Sequence, residues 1–192
     1  HRCCRRQRQM CIRDSSLAEH LKEGDKIVVT ELEHHSNYLP WMNLCKKLAL
    51  ELKIIPISKD GILSEDDIIN NCDDSTKVLS LTHMSNVTGQ ILDIKKIKKS
   101  INKDTYVAVD GCQSIAHLKI DVKDLDCDFY SFSSHKLYGP SGIGIMYGKE
   151  DILNKLNPPT LGGGMINEVS SNDFSYALSL IHISEPTRRL II

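Results

Sequence analysis

The stretch Asp126-Cys-Asp-Phe-Tyr-Ser-Phe-Ser-Ser-His-Lys136-Leu-Tyr-Gly-Pro-Ser-Gly-Ile-Gly-Ile-Met-Tyr147 leaves this chain few ways to fold. A short apolar strand ends in a hydroxyl-rich turn, the turn presents one lysine, and a Gly/Pro loop leads at once into a second strand. A lysine held at a strand end beside serine and histidine suits the capture of a carbonyl compound better than a salt bridge. Its amine forms a Schiff base once neutral, and its neighbours can tune its pKa. Set against this is the ordinary reading of a solvated loop lysine.

The rest of the chain alternates strand and helix patterns. Strands are predicted at Lys26–Glu31, Lys53–Ser58, Lys77–Thr82, Thr105–Val109, Cys127–Phe132 and Gly142–Tyr147. Helices are predicted at Tyr38–Leu52, with Leu44, Leu48 and Leu52 on one face, at Asp93–Ile101, with Ile94, Ile97 and Ile101 toward the sheet, and at Lys149–Leu156. Ser64 followed by Glu-Asp-Asp opens a further short helix, with a serine cap and an acidic first turn. Such an order predicts an α/β fold with a mostly parallel sheet covered by helices.

Ligands of open α/β sheets sit outside the carboxyl ends of the strands. Asp110, in Val-Ala-Val-Asp110-Gly, falls at one such end and Lys136 at another. An aspartate and a lysine converging on one crevice are the parts needed for pyridoxal 5'-phosphate (PLP): the lysine binds the aldehyde and the carboxylate keeps the pyridinium protonated. Asp-Gly is also a common turn signal, so Asp110 alone leaves both readings open. Two further strands end in polar turns. His34 and His35 follow the first, where an imidazole could stack on a cofactor ring, and Asn86 follows the third, within reach of the site.

The segments EHHSN, THMSNVTG, VDGCQS, DCDFYSFSSHKLYGPSGIG and GGGMI occur in this order and resemble the class V aminotransferase family, with group II (Suf-type) cysteine desulfurases the nearest match. The resemblance runs from about Leu17 to Ala177 and implies an incomplete large domain of a fold-type I PLP enzyme. It implies a Schiff-base role for Lys136, a pyridinium partner in Asp110, and a ring-stacking, proton-shuttling histidine in His34. It further implies Gln113 at the phenolic oxygen of PLP, Ser133 and His135 at its phosphate, Asn86 near substrate and cofactor, and Gly162–Gly164 near a dimer interface. Cys112 and Ser134 stand where the family usually has alanine and glycine. The implied reaction converts L-cysteine to L-alanine and delivers persulfide sulfur to a Suf-type acceptor for iron–sulfur cluster assembly, in a cytoplasmic homodimer. The family's nucleophilic cysteine and substrate-binding arginine lie downstream of the matched region. None of Cys3, Cys4, Cys11, Cys45, Cys72, Cys112 and Cys127 matches that cysteine, so the chain itself is expected to be inactive.

All seven arginines lie at the two ends, at 2, 5, 6, 8, 13, 188 and 189, whereas 17 lysines lie between. Residues 5–15 and 178–188 each read as a translation of one transposase-type adapter sequence or its reverse complement. Residues 1–15 and 178–192 are therefore expected to be foreign, and 16–177 to be the central part of the PLP-binding domain. Within 16–177, 17 lysines face 23 acidic residues, a net charge of −6, which gives no support for a nucleic-acid or anionic-membrane partner. No apolar run approaches the roughly 20 residues of a membrane helix. Four scattered cysteines fit a reducing compartment.

Other readings have less behind them. A selenocysteine lyase or another class V enzyme would share the same site, and a catalytically inactive remnant would keep the fold without the chemistry. A nucleotide-binding domain would need a G-x-G-x-x-G after the first strand, which is absent. A metal site using His34, His35, His83 or His135 would need ligand spacing that the chain lacks, so no metal is expected.

Overall fold

The structure is a computed structural model and describes residues 13–157, 166–170 and 174–176. The runs rich in Val, Ile and Leu become β1 (Lys26–Thr30), β2 (Glu51–Ile55), β3 (Thr76–Thr82) and β4 (Tyr106–Asp110). The Phe/Tyr/Ser run becomes β5 (Phe129–Ser133), and β6 (Gly144–Gly148) follows the glycine loop. They form one sheet in the order β2-β1-β3-β4-β5-β6. Every neighbouring pair is parallel except β5 and β6, which are antiparallel. A separate antiparallel pair joins β7 (Ile166–Val169) to β8 (Phe174–Tyr176).

Alternation along each strand sends neighbouring side chains to opposite faces, and two apolar clusters result. On one face Val28, Leu79, Leu81, Val107, Val109 and Tyr130 pack under α3 (Glu65–Asn70) and α4 (Ile94–Ser100). On the other, Ile27, Val29, Val78, Ala108 and Phe129 pack under α2 (His35–Leu48) and α7 (Glu150–Leu153). A helical segment at residues 13–18, α1, joins this second layer through Leu17. Two short helices, α5 (Ser114–His117) and α6 (Val122–Leu125), link β4 to β5.

The helix expected at 38–52 starts earlier and stops earlier. His34 caps it, its Nδ1 accepting from the Ser36 amide at 3.1 Å. Ala49 ends it in the left-handed region at φ 53°, with its amide bonded to the Cys45 carbonyl. Leu52 therefore belongs to β2, where it still packs into the second cluster. Helix periodicity at 44, 48 and 52 ran on into a strand because both elements bury leucine against the same layer.

Candidate active site

β1, β3, β4 and β5 are adjacent and parallel, so their carboxyl ends share one edge of the sheet. From β1 the chain passes to β2 on one side and then from β2 across to β3 on the other side of β1, so strand order reverses there, where α/β folds open a crevice. Asp110 ends β4, paired in register with Thr82 of β3 and Ser131 of β5. It is buried, and its Oδ1 accepts from the Cys112 amide at 2.9 Å. Two residues beyond Ala108, it points to the face covered by α2, whose N-cap is His34.

Lys136 follows β5 directly, in a single 3-10 turn at Ser134–Leu137. The turn is braced at both ends: the Ser134 amide donates to the Ile143 carbonyl, and the Gly139 amide to the Ser134 carbonyl, both at 3.0 Å. Tyr138 closes it at φ 57°. Lys136 is half-buried, and among the described residues its Nζ has no hydrogen-bond or ion-pair partner. Ser133 is buried with its hydroxyl 3.9 Å from Cys112 Sγ, and His135 is exposed beside it. Gln113 is half-buried on the turn after Asp110, and Asn86 is exposed on the loop after β3. His34 is half-buried, with Nδ1 also 2.7 Å from Ser36 Oγ. The structure thus brings all seven expected residues to one sheet edge. The Gly162–Gly164 loop lies outside the described residues.

Two features of the site went unread in the sequence. Glu33, adjacent to His34, is buried and receives three hydrogen bonds: Thr30 Oγ1 and the Thr82 amide donate to Oε1 at 2.7 and 2.8 Å, and Asn37 Nδ2 donates to Oε2 at 2.6 Å. Burial raises its pKa to about 7; the three donors pull it down and nearby Asp110 pushes it up. The second feature is a buried string of His83, Tyr130 and Ser114 behind the Asp110 turn. Only the position of Glu33, a carboxylate three residues past an apolar strand and next to His34, hinted at the first. Tyr130 and Ser114 lie 16 residues apart, and no local pattern links them. Among the described residues no three His, Cys, Asp or Glu side chains converge as metal ligands.

These groups suit PLP. A carboxylate meets a pyridinium nitrogen, an unpartnered primary amine meets an aldehyde, and an amide, hydroxyl and imidazole meet phenolic and phosphate oxygens.

A family model described as aminotransferase class V matches residues 7–182. A cysteine desulfurase of Wigglesworthia glossinidia brevipalpis is 49% identical over 154 residues, 78% of this chain and 37% of that protein. A probable cysteine desulfurase of Staphylococcus epidermidis is 47% identical over 158 residues, 82% of this chain and 38% of that one. Among solved structures, the cysteine desulfurase CsdA from Escherichia coli, in an S-sulfonic acid form, superposes with a TM-score of 0.86 at 33% identity. That match covers 91% of this chain and 44% of CsdA. The fold is that of the large domain of fold-type I PLP enzymes, and the chain spans less than half the length of each of these three proteins.

Proposed function

This chain belongs to the class V aminotransferase family, and from that premise we propose that it is part of a PLP-dependent cysteine desulfurase. The observation that carries the reading is the placement of Asp110 and Lys136 at the ends of adjacent parallel strands on one sheet edge. The complete enzyme would convert L-cysteine to L-alanine and hand the sulfur to an acceptor protein. The SSHKLYGPSGIG and VDGCQS segments support a Suf-type partner and a role in iron–sulfur cluster assembly. Dimerisation of the complete enzyme is part of the same proposal.

When bound, PLP supplies an electron sink for the bonds at the amino acid's α-carbon. Each residue then has a task its position suits. Lys136 would hold the aldehyde carbon and afterwards move a proton at Nζ. Asp110, buried with one oxygen already fixed by the Cys112 amide, keeps the ring nitrogen protonated. His34 would lie against the ring and exchange protons through its imidazole, and Gln113 would donate to the phenolic oxygen. Ser133 and His135 would hold the phosphate, and Asn86 would orient the substrate.

A sulfur-accepting thiolate needs a lowered pKa and access. Cys45 and Cys127 are buried, and burial pushes their thiols up to about 11 and about 12. Burial likewise raises Cys72 to about 11. Cys112 is buried as well, and we place the nucleophilic cysteine elsewhere in the parent enzyme, so that this chain would hold the cofactor without completing the reaction.

The test is to add PLP to the chain, look for the yellow lysine-bound form, reduce with borohydride and map the pyridoxyl group by mass spectrometry. Label on Lys136, lost in Lys136→Ala, is the expected result. A folded chain, judged by circular dichroism, that takes up no label would overturn the reading.

A further inference from the structure

His83 Nδ1 lies 3.1 Å from Tyr130 Oη, which lies 2.7 Å from Ser114 Oγ, which in turn lies 3.3 Å from the Gly111 carbonyl oxygen. All four residues are buried. The order of protons along this string follows from its last member. A carbonyl oxygen only accepts, and each hydroxyl has one proton to give. With the Ser114 proton on Gly111, the Ser114 oxygen accepts from Tyr130, and the Tyr130 oxygen in turn accepts from a His83 that carries its proton on Nδ1. Burial lowers the pKa of His83 and favours the neutral ring. The ring also meets Tyr130 edge-on, with centroids 6.0 Å apart and planes at 87°.

The string sits directly behind the turn that carries Asp110 and Gln113. The backbone of Gly111 rests on the Tyr130 ring so closely that a Cβ there would fall inside the ring's van der Waals envelope. The Gly111 amide donates to the Ser131 carbonyl at 2.8 Å, and the His83 amide to the Asp110 carbonyl at 3.0 Å. The turn is therefore held from β3 by His83, from β5 by Tyr130 and from α5 by Ser114.

We propose that His83 in its Nδ1–H form, Tyr130 and Ser114 make a one-directional hydrogen-bond relay that positions the Asp110–Gln113 turn for the cofactor. They are positioning residues and act through that turn. The positioning role rests on the PLP reading above; the relay and its tautomer do not.

The experiment uses the 15N-labelled full chain. Long-range 1H–15N spectra of the histidine rings report the tautomer, and loss of one ring signal in His83→Gln assigns it. His83 is expected as Nδ1–H at pH 7, moving toward the Nε2–H form in Tyr130→Phe. PLP titrations followed by absorbance are expected to show about tenfold weaker binding in Tyr130→Phe and Ser114→Ala, the loss of one buried hydrogen bond. Ser114→Thr, which keeps the hydroxyl, should restore affinity. An Nε2–H or doubly protonated His83 in the parent overturns the relay. Unchanged PLP affinity in folded Ser114→Ala overturns the positioning role, and that variant decides the point if Tyr130→Phe does not fold. If the parent binds no PLP, the functional reading and the positioning role both fail, and the tautomer still decides the relay.

Discussion

Glu33 sits at the end of β1 with donors on both carboxyl oxygens and Asp110 close by. Three donors favour the carboxylate, whereas burial and Asp110 favour the acid, and the balance lifts its pKa from 4.5 to about 7. A carboxyl whose pKa is raised by folding contributes stability that is full below its unfolded value and lost as pH climbs through the folded value. Stability should therefore fall between pH 4.5 and about 7, by about 3 kcal/mol from this one group. Asp14, raised by burial from 3.8 to about 6, adds a loss of the same sign. Glu33→Gln isolates the glutamate's share. Either orientation of the new amide sets an NH2 against a donor, Asn37 Nδ2 or the Thr82 amide, so the variant should be less stable by about 1–3 kcal/mol at acidic pH. Its urea midpoint should also vary less with pH than the parent's, and parallel pH profiles would refute the assignment. Gly111 is a second sensitive point. Gly111→Ala should cost more than 2 kcal/mol, about the scale of overpacking a rigid core, because Tyr130 is buried and bonded at its hydroxyl. Gly139→Ala should cost less, since the added methyl meets chiefly the hydroxyl end of Ser134.

Among the elements, α4, β4, β5 and the start of α7 are tied together by Asp128. Its Oδ2 accepts from Lys98 Nζ and the Val107 amide, both at 2.7 Å, and its Oδ1 lies 2.9 Å from Lys149 Nζ. Lys98 Nζ also donates to the Thr105 carbonyl at 2.9 Å. Lys98 and Asp128 are both nearly buried, so removing the lysine leaves a carboxylate in a poor solvent with one cation remaining. Lys98→Met should destabilise by about 2–4 kcal/mol in urea unfolding, below the full cost of orphaning a buried charge because Lys149 persists. Lys149→Met should cost less, since that side chain is more exposed and surface pairs contribute little. Equal losses in the two variants would mean that burial does not set the strength of this clamp. Capping at this scale was partly legible. Ser64 caps α3 by accepting from the Asp67 amide, as its sequence indicated. His34 capping α2 was not, because imidazole is an uncommon cap and only the fold turns its ring toward the Ser36 amide.

For the molecule as a whole, α1 meets the body through a buried ion pair. Arg13 is fully buried, stacked 4.9 Å over Trp41, paired with Asp14 at 2.7 Å and donating to Asn37 Oδ1 at 3.1 Å. Yet among the described residues Arg13 Nη1, Asp14 Oδ2 and Ser16 Oγ are buried without a hydrogen-bond partner. Two charged residues with unmet donors and acceptors are poor occupants of a site between helix and sheet. Replacing a buried ion pair by apolar residues is often neutral or stabilising. Arg13→Leu combined with Asp14→Leu should thus raise the thermal midpoint by about 2–4 °C, the shift that about 1 kcal/mol gives a chain of this size. A fall in the midpoint would show instead that the pair stabilises the domain. At the β6 edge of the sheet Ile143 and Ile145 are partly exposed, as is Leu137, and Tyr138 is almost wholly exposed. Among the described residues no helix is long and apolar enough to cross a membrane.

The sequence by itself determined the α/β alternation, the strands that end in polar turns, and all seven residues that reach the shared edge. Those signals are local: an apolar pentad, a Gly or Asp after it, and a lysine among hydroxyls each act on a few neighbouring residues. Tertiary structure decided what local pattern cannot. It set the strand order that makes the Asp110 and Lys136 strands neighbours, the antiparallel return of β6, and the end of α2 before Leu52. It also enclosed Glu33 beside Asp110 and strung His83, Tyr130 and Ser114 behind the site. Each of these depends on groups far apart in the chain becoming neighbours in a space without water, where every buried polar atom must find its partner across strands.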